Sequence, residues 1–352
     1  MIKFNSDILN KSIFKLPISR EKIHDNKKKA LPNFIFNKLN KYISIIEKLE
    51  NFYLKKNDKD VNNYFDEDNN IFLLKVVKSL KDGIHQATKC YLHGSPYGAY
   101  DKLLKALEID NKNNIFKIIK SVAIPNSIEN YFFRVRINEN SKKIMKKKDM
   151  FHVPFEMIEK VGTYRYSITG YPCLYLGNSI FTCLKEIDID FFKYKKNQIY
   201  VSKFIYKADI SSMLLDLRIK KREDINNNNY LFTYLCLFPL IFASSIKVLK
   251  PDEPFKPEYI IPQLLLQIIK KETNTFGFID GILYSSTKIF DNNNSFNIVF
   301  YPRGIYPEGH CSYLVQLFDI TEPLNVNEVL KEIDSTLLNN SCKKIEELIE
   351  KN

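Results

Sequence analysis

Residues 164–186 read YRYSITGYPCLYLGNSIFTCLKE, and this stretch does most to decide the fold. Its apolar segment 173–176 is short and follows Gly170 and Pro172, a pattern that predicts a β-strand. A helix is predicted directly afterwards, over residues 179–187. A strand that passes at once into a helix indicates a domain of mixed α and β structure.

More strands are predicted on both sides of this stretch. Residues 131–137 read YFFRVRI, an aromatic and β-branched sequence that suits a strand. The other strand candidates are 199–206, 213–217, 281–284 and 297–300, and a second helix is predicted near 262–271. We therefore expect an α+β fold for this part of the chain.

The first third of the chain has a helical pattern instead. Apolar residues recur at helical spacing in 34–54, 71–91 and 97–107, after a polar lead-in at 1–30 that we expect to be irregular. Helical spacing returns in the tail, 327–351. The predicted organisation is a helical N-terminal module over 1–124, an α+β domain over 125–320 and a helical tail over 321–352.

The chain is basic, with a net charge of +12 over 352 residues. Such a charge suits a nucleic acid, an anionic membrane surface or a negatively charged small substrate. The basic runs 27–29 and 146–148 lack the arginines and aromatic residues of a track that binds single strands. A nucleic-acid partner is therefore not expected.

Other features favour a cytoplasmic protein. The six cysteines are scattered without a CxxC pair, which is typical of reduced thiols, and the first residues lack the apolar run of a signal peptide. The charge-free segment 230–246 approaches the length of a membrane span, but it contains Pro239 and stands alone. We expect it to be a buried core segment and expect no membrane partner.

Several classes of enzyme are excluded by missing motifs. The chain has ten glycines and offers neither GxGxxG nor GxxxxGK[ST], so it lacks both a Rossmann fingerprint and a P-loop. It also lacks the GxSxG nucleophile elbow. Cys90 and His93 are half of a zinc site without a second half, so no metal site is predicted.

What remains is a set of islands that each place a polar or charged residue in an apolar frame. They are FFRVR at 132–136, FHVPF at 151–155, the stretch quoted above, YIIPQLLLQ at 259–267 and DGILYSS at 280–286. A buried charge needs a partner or a ligand. In their order these islands resemble the RES domain, found in NAD-degrading toxins of bacterial toxin–antitoxin pairs, over about residues 132–302.

The resemblance rests on matches along the whole of that segment. In family order they are Phe133, Arg134, Arg165, Gly170, Pro172, Tyr175, Leu176, Glu186, Gly281, Tyr284, Ser286, Asn297 and Phe300. Ser285 stands where the family usually has proline, so either hydroxyl is a candidate, although the register favours Ser286. Arg136 competes with Arg134, and two residues apart on a strand both point to one face.

The resemblance implies cleavage of the bond between nicotinamide and ribose in NAD. That reaction builds positive charge on the ribose, which a carboxylate stabilises, while guanidinium groups bind the pyrophosphate. Tyr175 can stack on nicotinamide, and Ser286 can bind a ribose hydroxyl or a phosphate. The predicted catalytic residues are Glu186, Arg134 and Ser286, and the predicted dinucleotide-binding residues are Arg165, Tyr175, Tyr284, Arg136 and Ser285.

The resemblance also implies a fold related to ADP-ribosyltransferases and a role as a toxin or antiphage effector. NAD is then a substrate and no true cofactor is needed, with water or inorganic phosphate as acceptor. The partners implied are an antitoxin or regulatory protein and a second copy of the chain. Two alternatives stay open: a protein ADP-ribosyltransferase that uses the same site, and a basic nucleic-acid-binding module whose RES-like pocket is inactive.

The long helical N-terminal module is a departure, because the compact toxins of the family lack it. We expect it to act in control or in partner binding.

Overall fold

The computed structural model describes residues 9–54, 67–108, 123–125, 131–138, 144–187, 198–207, 213–221, 224–225, 228–271, 279–289, 295–304, 308–327 and 338–350.

The helices lie mostly where helical spacing predicts them. They are α1 (Asn26–Lys29), α2 (Leu31–Leu54), α3 (Glu67–Leu92), α4 (Pro96–Glu108), α5 (Ile180–Glu186), α6 (Asn228–Ser244), α7 (Ile260–Lys271), α8 (Ser312–Leu317) and α9 (Leu338–Glu350). In α2 and α3 the apolar positions that repeat every three or four residues are the buried ones.

The strands are β1 (Ala123–Pro125), β2 (Tyr131–Asn138), β3 (Leu174–Gly177), β4 (Gln198–Tyr206), β5 (Met213–Leu217), β6 (Ile279–Ser285), β7 (Phe296–Phe300), β8 (Phe318–Ile320) and β9 (Leu324–Asn325). Within the described residues they form one nine-stranded sheet in the order β1-β5-β6-β7-β3-β2-β4-β8, and β9 pairs with β4. Helices followed by a sheet with its own helices confirm the predicted α+β class.

The chain divides into two compact units. Unit 1 comprises Met1–Ala123, Thr163–Tyr166 and Leu215–Ile279, and unit 2 comprises Ile124–Gly162, Ser167–Leu214 and Asp280–Asn352. The change from one unit to the other near residue 124 coincides with a predicted boundary, but Leu215–Ile279 packs with the helical unit. Compact units are defined by contacts and not by ancestry, so the domain limits at 124 and 320 stay predictions.

Unit 1 is a helical core around α6. The Tyr42 hydroxyl of α2 donates to the Leu235 carbonyl of α6 at 2.6 Å, and the rings of Tyr42 and Phe238 lie 4.6 Å apart. α6 contains most of the charge-free segment 230–246. Almost all the described side chains of that segment are buried, which confirms the predicted core segment. No described helix has both the length and the apolar character needed to cross a membrane.

Unit 2 packs apolar side chains on both faces of its sheet. One face carries α5 and α9, and we call it the helix face. Its buried residues include Phe133, Val135, Ile199 and Val201 from the strands with Ile180, Leu184, Ile345 and Ile349 from the helices. The opposite face buries the alternate residues of the same strands, among them Phe132, Leu174, Leu176, Phe204, Ile298 and Phe300.

β2 and β3 are paired over far fewer residues than the neighbouring strands of the sheet. β2 pairs with β4 over eight positions, from Tyr131 to Asn138, but with β3 only at Phe133 and Gly177. β3 in turn pairs with β7 at four positions. Within these two described strands, Arg134 and Arg136 of β2 and Tyr175 of β3 lie on the same side of that single pair.

Candidate active site

Glu186 is the last residue of α5, a helix whose start is fixed by its own sequence. The Ser179 side chain accepts a hydrogen bond from the Thr182 backbone N–H at 3.1 Å, which satisfies one of the unpaired donors at the helix N-terminus. Ile180, Cys183 and Leu184 give α5 a buried side. Glu186 lies one turn after Thr182 and Cys183, so it is on the side that meets the sheet.

A glycine lets α5 approach the sheet closely. A Cβ atom on Gly177 would lie 2.7 Å from the Cys183 sulfur, so any other residue there requires a shift of the Cys183 side chain or of the helix. The Cys183 thiol donates to the Phe133 carbonyl at 3.2 Å, and burial raises the pKa of Cys183 to about 12. Cys183 is therefore a neutral packing residue that brings the end of α5 against β3.

Two neutral donors hold the Glu186 carboxylate. Ser286 Oγ and Asn297 Nδ2 each donate to Glu186 Oε1, and both distances are 2.7 Å. No described residue donates to Oε2, and the side chain is half-buried. The carboxylate is thus oriented without being neutralised, and one oxygen stays available to a ligand.

Lys288 completes the end of the helix. Its Nζ donates to the Glu186 backbone carbonyl at 2.7 Å, where a cation is favoured by the helix dipole. Its backbone N–H donates to Ser286 Oγ at 3.2 Å, so the serine hydroxyl is fixed as the donor to Glu186.

A row of paired residues across the sheet places the predicted tyrosines. Gly177 of β3 is paired with Asn297 of β7, which is paired with Tyr284 of β6. Directly opposed residues point to the same face, so Tyr284 shares the helix face with Asn297. Tyr175, two residues before Gly177, points to that face as well, and its hydroxyl lies 3.0 Å from Ser167 Oγ.

The alternation along β6 separates the two candidate serines. Ser285 is paired with Phe296 and points to the opposite face, whereas Ser286 follows it and reaches Glu186. The hydroxyl that meets the carboxylate is therefore that of Ser286, and Ser285 is turned away from it.

The structure does not bring the β2 arginines to the helix face. Arg134 and Arg136 alternate with Phe133 and Val135, so they point to the opposite face, where Arg136 Nη2 donates to the Phe151 carbonyl at 2.7 Å. They agree with the sequence expectation in sharing one face, but that face is not the one that carries Glu186.

His152 and His310 lie within electrostatic range of these arginines. Burial lowers the pKa of His152 to about 4, with the charges of His310, Arg134 and Arg136 acting in the same direction. His152 Nε2 accepts from the Cys311 backbone N–H at 2.9 Å, so its proton is on Nδ1, which donates to the Val153 carbonyl. His152 is thus a neutral structural residue.

Arg165 lies in unit 1 with its contacts. Its guanidinium donates to the carbonyls of Ser244 and Ile246 at 2.9 and 3.1 Å and stands 5.1 Å from the centre of the Tyr259 ring. A guanidinium buried by such partners has a structural role. We therefore assign Arg165 no part in binding the dinucleotide.

The site residue that sequence reasoning omitted is Asn297. Its place in the downstream strand was recognised, but only the fold shows that its amide meets Glu186 at 2.7 Å. The signal in the sequence was a polar residue in an otherwise apolar strand, FNIVF.

Among the described residues, no group of three or more His, Cys, Asp or Glu side chains is placed as a metal site would be.

Comparisons with known proteins give one clear relative. A protein of Bacillus subtilis (strain 168) named "Putative toxin YopC" is 32% identical over 271 residues, which cover 70% of this chain and 58% of that protein. The chain thus spans less than two thirds of the length of this relative. No family model matches the chain and no solved structure matches it, so the RES resemblance stays a prediction.

Proposed function

We propose that this chain is a toxin that cleaves the bond between nicotinamide and ribose in NAD, with Glu186 as the catalytic carboxylate. The name of the Bacillus subtilis relative supports the toxin role. The arrangement of Ser286 and Asn297 around Glu186 supports the chemistry. The observation that carries the proposal is that both neutral donors bind Oε1 and leave Oε2 for the substrate.

The reaction needs a negative charge beside the ribose. As the C1′–N bond breaks, its electron pair moves to the nicotinamide ring, neutral nicotinamide leaves, and positive charge develops on the ribose. A carboxylate fixed before the reaction stabilises that charge without reorganising, which is the largest single effect in many enzymes. Water or phosphate then adds to C1′, and a water acceptor releases its proton.

The two donors give Glu186 its direction. A glutamate side chain at a helix end can adopt several rotamers, and restraint by Ser286 and Asn297 removes that freedom before NAD binds. Because neither donor to the side chain is charged, neither of them cancels a negative charge that the ribose needs. A lysine or arginine in their place would have weakened it.

The remaining predicted residues have roles that follow from their positions. Tyr175 and Tyr284 share the helix face with Asn297 and offer aromatic surfaces for the nicotinamide or adenine rings. Arg134 and Arg136 point to the face opposite Glu186, so the expected grip of a guanidinium on the pyrophosphate, by two parallel hydrogen bonds, stays a prediction. Arg165 has no part in this proposal.

The test is to identify the products formed from NAD. Purified protein is incubated with NAD, with and without inorganic phosphate, and with a mixture of cellular proteins, and products are separated by chromatography and identified by mass spectrometry. The proposal expects free nicotinamide in molar balance with ADP-ribose or its 1-phosphate. Nicotinamide balanced by an adduct on protein would indicate an ADP-ribosyltransferase, and intact NAD would contradict the proposal.

A further inference from the structure

Both ends of α5 are attached to consecutive residues of β7. At the start of the helix, the Asn178 backbone N–H donates to the Phe296 carbonyl, and Asn178 Oδ1 accepts from the Phe296 N–H, both at 3.0 Å. At the end of the helix, Glu186 accepts from Asn297. The helix and the strand therefore form a closed ring of hydrogen bonds that includes the proposed catalytic carboxylate.

Thr182 links the start of this ring to the middle of the helix. Its side chain is wholly buried, and Oγ1 donates to Asn178 Oδ1 at 3.0 Å and lies 2.9 Å from Ser179 Oγ. A buried hydroxyl is kept only when it is hydrogen-bonded. Thr182 is one turn before Glu186. A rotation of α5 about its axis would therefore strain the bond between Thr182 and Asn178 and, at the same time, move the Glu186 carboxylate.

The helix is too short to set its own orientation. α5 has seven residues, and helices of that length are not stable in isolation. Apolar packing of Ile180 and Leu184 fixes its distance from the sheet but is non-directional. Hydrogen bonds are directional, so the bonds of Asn178 and Thr182 can set the rotation of the helix, together with the bond from the Cys183 thiol to the Phe133 carbonyl.

We infer that Thr182 and Asn178 are positioning residues for Glu186: they fix the rotation of α5, and with it the direction of the carboxylate, against β7. This inference rests on the proposed function of Glu186. Neither residue touches the substrate in this account, and both act through the helix.

The test compares variants that differ only in the hydroxyl. Thr182→Val keeps the shape and removes the bond, while Asn178 keeps its Phe296 donor. We expect kcat for nicotinamide release to fall about tenfold while KM changes by less than about twofold, because binding groups stay in place and the reacting group moves. Thr182→Ser keeps the hydroxyl and should restore kcat to within about threefold of the wild type.

Thr88→Val is the matched control. Thr88 is also a wholly buried helical threonine, and its Oγ1 donates to the Ile84 carbonyl at 2.7 Å, but it belongs to α3 of unit 1. It loses a buried hydrogen bond of the same kind, so its kcat should equal that of the wild type. Hydrogen–deuterium exchange of the peptide that contains α5 should become faster in Thr182→Val and stay unchanged in Thr88→Val.

The exchange measurement separates this inference from the proposed function. If the wild type releases no nicotinamide, the proposed function fails, and the exchange of α5 alone decides whether Thr182 holds the helix. If the wild type is active and Thr182→Val matches it in kcat, or Thr182→Ser fails to restore kcat, the inference is overturned. Should Thr182→Val not fold, Asn178→Ala at a half-buried position is expected to show the same loss of kcat, and wild-type kcat there would equally overturn it.

Discussion

Glu186 in unit 2 and Asp216 in unit 1 are both held by hydrogen bonds, but from opposite kinds of partner. Arg218 donates to both oxygens of Asp216 and Lys220 Nζ donates to Oδ2, at 2.8 to 2.9 Å, and the carboxylate is 1% exposed. Glu186 is held by a serine and an asparagine and is half-buried. Asp216 has its charge cancelled within the fold, while Glu186 keeps its charge for a ligand.

The comparison shows how a functional carboxylate can be distinguished from a structural one. Burial alone would raise the pKa of Asp216, but hydrogen bonds from Arg218 and Lys220 and their charges outweigh it and hold that pKa below its usual value. Such a carboxylate stabilises the protein and offers nothing to a substrate. The Asp216 carboxylate accepts four hydrogen bonds and the Glu186 carboxylate two, and the charged side-chain donors at Asp216 are the informative difference.

The largest expected effect is on the free energy of unfolding, which Asp216→Asn should lower far more than Glu186→Gln. Asp216→Asn leaves two cations near a buried neutral amide, and breaking a buried ion pair in this way costs about 3–5 kcal/mol of unfolding free energy. In Glu186→Gln the two donors to the side chain, Ser286 and Asn297, are neutral, so the change should cost less than about 1 kcal/mol. Urea denaturation of both variants and the wild type measures this. Equal losses would remove the distinction between the two sites.

The next effect concerns the serine pair at the end of β6. Ser286→Ala removes one of the two bonds that orient Glu186, and nicotinamide release should fall about 10- to 100-fold because a small misplacement of a reacting group is costly. Ser285→Ala is the control, because Ser285 points to the other face. A larger loss in Ser285→Ala than in Ser286→Ala would show that the serine register of the site is wrong.

A third effect tests whether Glu186 depends on the close approach of α5. Gly177→Ala places a methyl group 2.7 Å from the Cys183 sulfur, so the Cys183 side chain or the helix that carries it must shift. Overpacking of this kind costs about 1–3 kcal/mol, and we expect a loss of nicotinamide release of about tenfold beyond any loss of folded protein. Gly162→Ala is the control, because a Cβ there meets nothing within 4 Å. Activity of Gly177→Ala equal to that control would contradict the account.

The smallest effect is the pH dependence of stability at Asp216. Its pKa is lowered in the folded state, so its contribution is fully present above the unfolded pKa of about 4 and is lost as pH falls through the folded pKa. Thermal unfolding between pH 6 and pH 2.5 should therefore show a steeper acid decline in the wild type than in Asp216→Asn. Parallel curves would show that Asp216 does not stabilise the fold through its charge.

Local patterns in the sequence predicted the elements well. The strand 213–217 and the strand beginning at Tyr131 appear within a residue of their predicted limits, because each is a short, mainly apolar run of strand length. The helices of the N-terminal third follow their apolar spacing for the same reason. The charge-free segment could be recognised as core but not assigned to a unit, since nothing local shows that α6 packs with helices far away in the chain.

The site was predictable only where the chemistry is local. Glu186 and Ser286 are 100 residues apart in sequence, and their contact at 2.7 Å depends on the order β6-β7-β3, which no local pattern encodes. The faces of Arg134 and Ser285 depend on strand register, where a shift of one residue reverses every side chain. Arg165 had the right residue type, but its partners lie about 80 residues later and became visible only in the fold.

The central claim is that the charge of Glu186 breaks the nicotinamide–ribose bond, and the rate of nicotinamide release from NAD by Glu186→Gln tests it most directly. The amide keeps the size of the side chain and removes the charge, so we expect a fall of about 10³-fold in kcat with little change in KM, as for loss of a group that stabilises the transition state. A rate in Glu186→Gln equal to that of the wild type, with both proteins folded, would contradict the account.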